Sequence, residues 1–316
     1  MTHRPQLALS FTLLFLLSAA IAHAQSPIGT RAEGMAGAFV AVADDASAVY
    51  WNPAGIATGS LVSAVISFGQ VSHRAENPVN SAQPSANQRD SGGIVALSAT
   101  AIGGAYYRLT TYGSGAAEPA VTGSTSREEV GLSVQTLTMD TVGVSLVQSL
   151  GDSIVVGATP RFVRGAGDNA FDVDAGVMFS RNHMRLGLVA RNLVAPSFES
   201  DGHQAIDLDR AVRVGAAWGS GWTGVSRVIV SVDGDLTSRV APEGDRRDMA
   251  AGVETWWFDQ RLGLRTGVRS STIGDARAAF AAGVSAGLTA GMLVDAHVVR
   301  GQAGESSWSV GARMLF

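Results

Sequence analysis

The sequence predicts an all-β chain, a transmembrane antiparallel β-barrel of about 14 strands, preceded by an N-terminal segment that does not belong to the sheet. Three observations predict it. The chain opens with an export-type leader, it has no later stretch long and uncharged enough to cross a bilayer as a helix, and downstream of Gly59 apolar and polar residues alternate in segments of about ten, separated by Gly, Asp, Asn and Ser turns.

The leader comes first. Arg4 precedes a mostly apolar run of 15 residues from Leu7 to Ile21, and Ala22-His23-Ala24 supplies the small residues that a signal peptidase accepts. Cleavage after Ala24 leaves 316 − 24 = 292 residues. The expected division is a signal peptide over 1–24, a separate segment over 25–59 and the barrel over 60–316. With no cysteine anywhere, lipoprotein anchoring, disulfides and thiolate metal sites are excluded. A net charge of −4 argues against a nucleic-acid partner. All 23 basic residues are arginine, which reads as genomic composition bias.

The segment from Gly29 to Ala57, "GTRAEGMAGAFVAVADDASAVYWNPAGIA", has no period-two pattern, and its proline would cost a strand one ladder hydrogen bond. Gly34, Ala36, Gly37 and Ala38 permit close packing. Asp44, Asp45 or Ser47 is expected to cap a turn running into Tyr50-Trp51, and Asn52-Pro53 to initiate another. A polar, non-strand backbone ahead of a membrane barrel belongs in the lumen, away from lipid. The segment is therefore expected to be a hatch, with Gly34, Gly37, Asp44, Asp45, Asn52, Pro53, Ala54 and Gly55 as its gating residues.

Each strand should then carry one lipid-facing and one lumen-facing parity. Arg261, Gly263, Arg265, Gly267 and Arg269 oppose Leu262, Leu264, Thr266 and Val268; Asp172, Asp174 and Gly176 oppose Val173, Ala175, Val177 and Phe179. The last strand sets Trp308, Val310, Ala312, Met314 and Phe316 against Ser309, Gly311 and Arg313. Lipid does not tolerate the reverse, since a mid-bilayer arginine facing outward costs roughly 2–4 kcal/mol. The expected lumenal charge ladder is Arg161, Asp172, Asp174, Arg185, Arg191, Arg213, Asp233, Asp235, Glu254, Arg265, Asp295 and Arg313. It serves either to glue the inner wall or to select ions and substrates.

Counting every alternating segment gives fifteen strands, whereas bacterial single-chain barrels have an even number. Reading 130–149 as one long strand through Met139-Asp140 removes the extra one and gives fourteen, with twelve as the alternative. Short turns near 150–152, 181–183, 220–224, 258–260 and 287–291 then share one end. The connections 73–90, 113–129, 194–208 and 237–246 share the other. Trp218 and Trp222, with Trp256, Trp257 and Phe258, border turns at the first end as an interfacial girdle. Pro160 fits a bulge or kink.

Two chemical patterns need weighing. "GVSAG" at Gly283–Gly287, followed by Asp295 and His297, matches a serine-hydrolase order, but an elbow requires a sharp strand-to-helix turn and alternation runs straight through Ser285. Ser285 is expected to be a lumen-facing strand residue, with Asp295 and His297 stacked on each other. Asp44-Asp45 lacks the spaced oxygen ligands of a calcium loop. Neither enzyme activity nor a metal or cofactor is expected.

The N-terminal motifs carry a resemblance. Gly34-Met35-Ala36-Gly37-Ala38, Asp44-Asp45-Ala46-Ser47-Ala48 and Asn52-Pro53-Ala54-Gly55 resemble the FadL/TodX-like outer-membrane transport superfamily, while Leu186–Leu193, Arg213–Trp218 and Gly263–Arg269 are similar to its shorter PorV/PorQ-like and TraF-like branch. The resemblance implies a 14-stranded barrel in the outer membrane of a Gram-negative bacterium, reached by Sec-type export. It implies passive uptake of small hydrophobic compounds, fatty-acid-like or aromatic, past a hatch. The implied partners are outer-membrane lipid, a small hydrophobic ligand, and barrel-assembly machinery that reads Trp308 and Phe316 on the last strand. At 292 residues the mature chain is short for a long-chain fatty-acid transporter. The shorter branch includes accessory barrels of secretion or conjugation systems, so docking to such components is the competing expectation.

Overall fold

Alternating side chains need a sheet with two solvents, and the sheet found here has no free edge. The computed structural model describes residues 28–74, 87–116, 132–165, 167–200, 203–221, 226–239, 245–274, 277–302 and 304–316. The expected signal peptide and Trp222 lie outside them. The strands are β1 (Val62–Arg74), β2 (Asn87–Ala99), β3 (Ile102–Ala116), β4 (Leu132–Leu150), β5 (Ile154–Gly165), β6 (Asp168–Arg181), β7 (Met184–Arg191), β8 (Ser197–Ser200), β9 (His203–Asp207), β10 (Ala211–Gly219), β11 (Ser226–Asp235), β12 (Asp248–Trp257), β13 (Leu262–Ser271), β14 (Ala278–Thr289), β15 (Met292–Gly301) and β16 (Ser306–Leu315). β8 and β9 pair only with each other. The other fourteen close into an antiparallel barrel, with β1 pairing β16 from Ser63↔Leu315 to Ser72↔Ser306. Closure removes every unpaired edge, which hydrocarbon could not solvate.

Parity assigns the faces. On β13, Gly263, Arg265, Gly267 and Arg269 are buried while Leu264, Thr266 and Val268 are exposed. On β6, Asp172, Asp174, Gly176 and Met178 are buried beside an exposed Val177. The outward set includes Ile66, Leu97, Phe162 and Phe280, each about half exposed or more. A continuous apolar exterior of this extent marks a surface made for a nonaqueous neighbour.

β3 pairs β4 without a break through Leu109↔Met139 and Arg108↔Asp140, so Met139-Asp140 holds no turn. β4 is the long strand expected over 130–149, found at Leu132–Leu150. Its 19 residues, at about 3.3 Å each, reach roughly 60 Å, so even when tilted it extends past a hydrocarbon layer of about 30 Å. β1 and β2 take in both ends of the expected loop 73–90, and β3 takes in the start of the expected loop 113–129; residues 75–86 and 117–131 are outside the described set.

Pro160 produces no bulge. Gly143↔Arg161 and Leu146↔Ala158 keep one register on either side of it. Pairing lapses at Pro160, which has no N–H to donate, and at the neighbouring Thr159, whose hydroxyl meets that of Ser145 at 2.7 Å. The girdle also needs correction. Trp218 and Phe258 are exposed at the turn end, but Trp256 points inward, its ring 5.2 Å from the Arg265 guanidinium and 5.6 Å from that of Arg313.

At the opposite end, the connection after β7 folds β8 and β9 inward. Phe198 is fully buried there among Met139, Val163 and Leu208.

Candidate functional site

The N-terminal segment sits inside the barrel, and its local shape follows from its residues. Helix α1 covers Thr30–Glu33, α2 covers Ala48–Trp51, and a 3-10 helix covers Pro53–Thr58. Proline at the first helical position loses nothing, because that N–H has no partner in any helix. Asn52 caps this helix by accepting from the Ala54 N–H at 3.2 Å. Its amide donates to the Val40 carbonyl at 3.0 Å and to Val177 of β6 at 3.3 Å, so one side chain ties helix, segment and wall.

Of the three expected capping residues Asp45 serves: its carboxylate accepts from the Ser47 N–H at 3.0 Å while its carbonyl accepts from the Ala48 N–H at 2.9 Å, starting the turn that runs into α2. Ser47, next to α2, makes no side-chain cap bond. Asp44 pairs with Arg31 at 2.5 Å and with Arg185 at 3.3 Å. Both aspartates pair with arginines, whose charge they balance.

Glycines make the fit possible. A methyl group added at Gly187 would lie 2.6 Å from the Val40 carbonyl oxygen; at Gly157 it would lie 2.7 Å from the Ala54 nitrogen, and at Gly252 2.9 Å from Met35 Cβ. Gly103, Gly176 and Gly267 meet Ile56, Asn52 and Met35 in the same way. Within the segment, Gly34 packs on Gly283, Gly55 on the Ala43 carbonyl, and Pro53 and Ala54 on Gly157. Gly37 has φ of 80° against the Trp51 ring, a left-handed conformation that glycine adopts without a Cβ clash.

Charge then fastens the segment on one side. Glu254 accepts from Arg31 Nε at 2.8 Å, Arg31 Nη2 at 2.7 Å and Arg265 Nε at 2.6 Å. Arg265 continues to Asp295 at 3.3 Å, Asp295 to Arg313 at 2.6 Å, and Arg313 back to Asp45 at 3.4 Å. Asp233 accepts from the Phe39 and Val40 N–H groups at 2.7 and 2.8 Å, while Arg213 bonds Asp235 at 2.7 Å and the Gly37 carbonyl at 3.2 Å. Arg191 bonds the Tyr50 carbonyl and lies 4.0 Å above the Tyr50 ring. Burial works against ionising Asp44, but Arg31 and Arg185 outweigh it and hold its pKa below the ordinary value. For Glu33, burial outweighs Arg269 and the carboxyl pKa is raised.

The remaining ladder residues form a separate group: Arg161 pairs with Asp172 at 2.6 Å and Asp174 at 3.2 Å and donates to the Tyr107 hydroxyl at 2.7 Å. Sequence reasoning placed Arg269 on Arg265's face but left it and its partner Glu305 out of the ladder, and it missed Arg31 and Glu33, which lie where no periodicity exists to read.

On the opposite side contact is by carbon. Val49, Tyr50 and Ile56 pack with Ile94 and Ala96 of β2, Ala105 and Tyr107 of β3 and Val147 of β4. Two spaces flank the segment. One, of about 670 Å³ at the turn end, touches Ala41, Val42, Ala57 and Thr58; the other, of about 100 Å³ at the loop end, touches Glu33, Gly37, Tyr50 and Trp51.

Ser285 faces inward, between Arg265 and Asp295. Asp295 and His297 do not stack on each other as expected: Asp295 binds Arg313, and His297 hydrogen-bonds Ser309 at 2.8 Å and Ser307 at 3.2 Å. The histidine is thus not interposed between serine and aspartate, the arrangement a hydrolase relay needs. Among the described residues no cluster of three or more His, Asp or Glu could hold a metal ion. Trp308 is outward-facing, edge-on to Phe68 at 6.1 Å. Phe316 closes the seam, exchanging backbone bonds of 3.0 and 2.9 Å with Val62.

Comparison with known proteins agrees with the architecture. The structure resembles the Ralstonia pickettii toluene transporter TbuX, with a TM-score of 0.62 and 11% identity, covering 92% of this chain and 98% of the other. It also resembles the CymD monoaromatic hydrocarbon channel, at 0.57, 10% identity and 92% and 97% coverage. A Pseudomonas aeruginosa FadL homologue gives 0.57, 11% identity and 91% and 98% coverage. At these identities the likeness is one of fold. In sequence, residues 96–235 match the family model described as F plasmid transfer operon, TraF, protein. No curated protein matches the chain.

Proposed function

We propose that this chain is an outer-membrane barrel for passive uptake of small hydrophobic compounds, aromatic or fatty-acid-like, with the N-terminal segment as its hatch. The observation that carries the reading is that this segment lies across the bore between two cavities. The hydrocarbon and toluene channels that share the fold support it. In this reading the turn end faces the periplasm, and the ion-paired side of the hatch stays fixed. The carbon-packed side, along β2 to β4, yields to an apolar ligand, because separating apolar surfaces while another apolar molecule fills the gap costs little.

The test is uptake of a labelled aromatic hydrocarbon into liposomes containing the purified protein. Replacing Asn52-Pro53-Ala54 with Gly-Gly-Gly is expected to change the uptake rate at least several-fold. Uptake equal to protein-free liposomes, with a correctly folded barrel, would overturn the reading.

The match of residues 96–235 to a transfer-operon family favours a second reading, an accessory barrel that docks secretion or conjugation components. Co-purification of such components from the native membrane, together with absent uptake, is the outcome that selects it.

A further inference from the structure

We infer that the turn-end cavity is a docking basin for an acidic peptide segment of a periplasmic partner. Its volume, about 670 Å³, lies in the range of about 300–1,000 Å³ typical of ligand sites. Its wall carries charge that a hydrocarbon does not use. It carries Arg181, Arg185, Arg227 and His183 against a single acid, Asp152. Arg185 is shared with Asp44, but Arg181 and Arg227 form no ion pair among the described residues, although Arg227 is half-buried. Everywhere deeper in the bore each arginine of the ladder meets a carboxylate or a carbonyl. The buried Ser180 hydroxyl on the same wall also has no hydrogen-bond partner.

Unneutralised guanidiniums converging on a concave space attract anions and hold carboxylates by charge-assisted hydrogen bonds. The arginines stand on β6, β7 and β11, spread around a space far larger than one phosphate. An extended peptide, with like-facing carboxylates roughly 7 Å apart, engages several of them at once. The inference rests on the proposed function only for which compartment the turn end faces.

Fluorescence anisotropy of a labelled hexaglutamate peptide with the full-length protein in neutral detergent tests it. Binding is expected at low salt, weakening as salt screens the charges. The double variant Arg181→Gln, Arg227→Gln is expected to lose at least tenfold in affinity, and Arg300→Gln, an exposed arginine at the other end of β15, to lose none. Heat-modifiable gel migration verifies that each variant is folded. Absent binding, equal loss with Arg300→Gln, or unchanged binding in the double variant overturns the inference. Displacement by equimolar inorganic phosphate also overturns it, assigning the cavity to small anions. Since no uptake is measured, either reading can fail alone.

Discussion

Glu254 holds two guanidiniums, one from the segment and one from the wall, at zero exposure. A buried pair of this kind adds little over an apolar replacement of both partners, yet removing one partner strands a charge and costs about 3–5 kcal/mol. Arg31→Met is therefore expected to destabilise the folded barrel by that amount in a urea titration in lipid. Adding Glu254→Met should deepen the loss rather than restore it, because Glu254 also holds the buried Arg265 at 2.6 Å. Asp44 and Glu33 give opposite pH effects. The depressed pKa of Asp44 means that its ionised form stabilises the fold. That contribution is complete above the unfolded value of about 4 and is lost as pH falls through the lower folded value. Asp44→Asn should thus lower the unfolding temperature at neutral pH and leave it unchanged in strong acid. The raised pKa of Glu33 means that its ionisation opposes folding, so Glu33→Gln should raise the unfolding temperature at neutral pH, with the gain vanishing at low pH.

Strands show most clearly what the sequence made legible. Parity placed Arg265, Asp295 and Arg313 inside because a strand has only two faces and lipid excludes charge from one. Trp256 shares the parity of Glu254 and so faces inward, but the expectation put it in the girdle from its nearness to a turn, a weaker signal than parity. The overlong β4 was readable because an odd strand count signalled it, whereas the strand ends in the expected loops were not, since polar alternation beyond the bilayer looks like loop. Arg31 was opaque because a segment of short turns has no period from which a face can be inferred. The inward glycines were countable but not interpretable until their neighbours were known. Gly187→Ala or Gly252→Ala is expected to cost about 1–3 kcal/mol by overpacking. Gly104→Ala, whose methyl group would lie 3.9 Å from its nearest neighbour, the Gly143 oxygen, should be nearly neutral. Thermal unfolding of the three variants checks the contrast.

For the molecule as a whole, the exterior requires detergent or lipid, and recovery of the folded protein as a freely soluble species would contradict the barrel's membrane role. Phe316 is one half of the seam, so its deletion is expected to lower the fraction of heat-modifiable barrel after refolding, measured against wild type. The seam and the network behind it join opposite ends of the polypeptide. Ser309 donates to Thr30 across 279 positions, and Arg313 reaches Asp45 across 268. A chain in which β16 has not yet paired has two bare sheet edges, and Asp45 faces no Arg313. It has no partial cylinder in which to pause. Closure is then slow and all-or-none, because the contacts that complete the wall and those that secure the inner segment form together across large sequence separations.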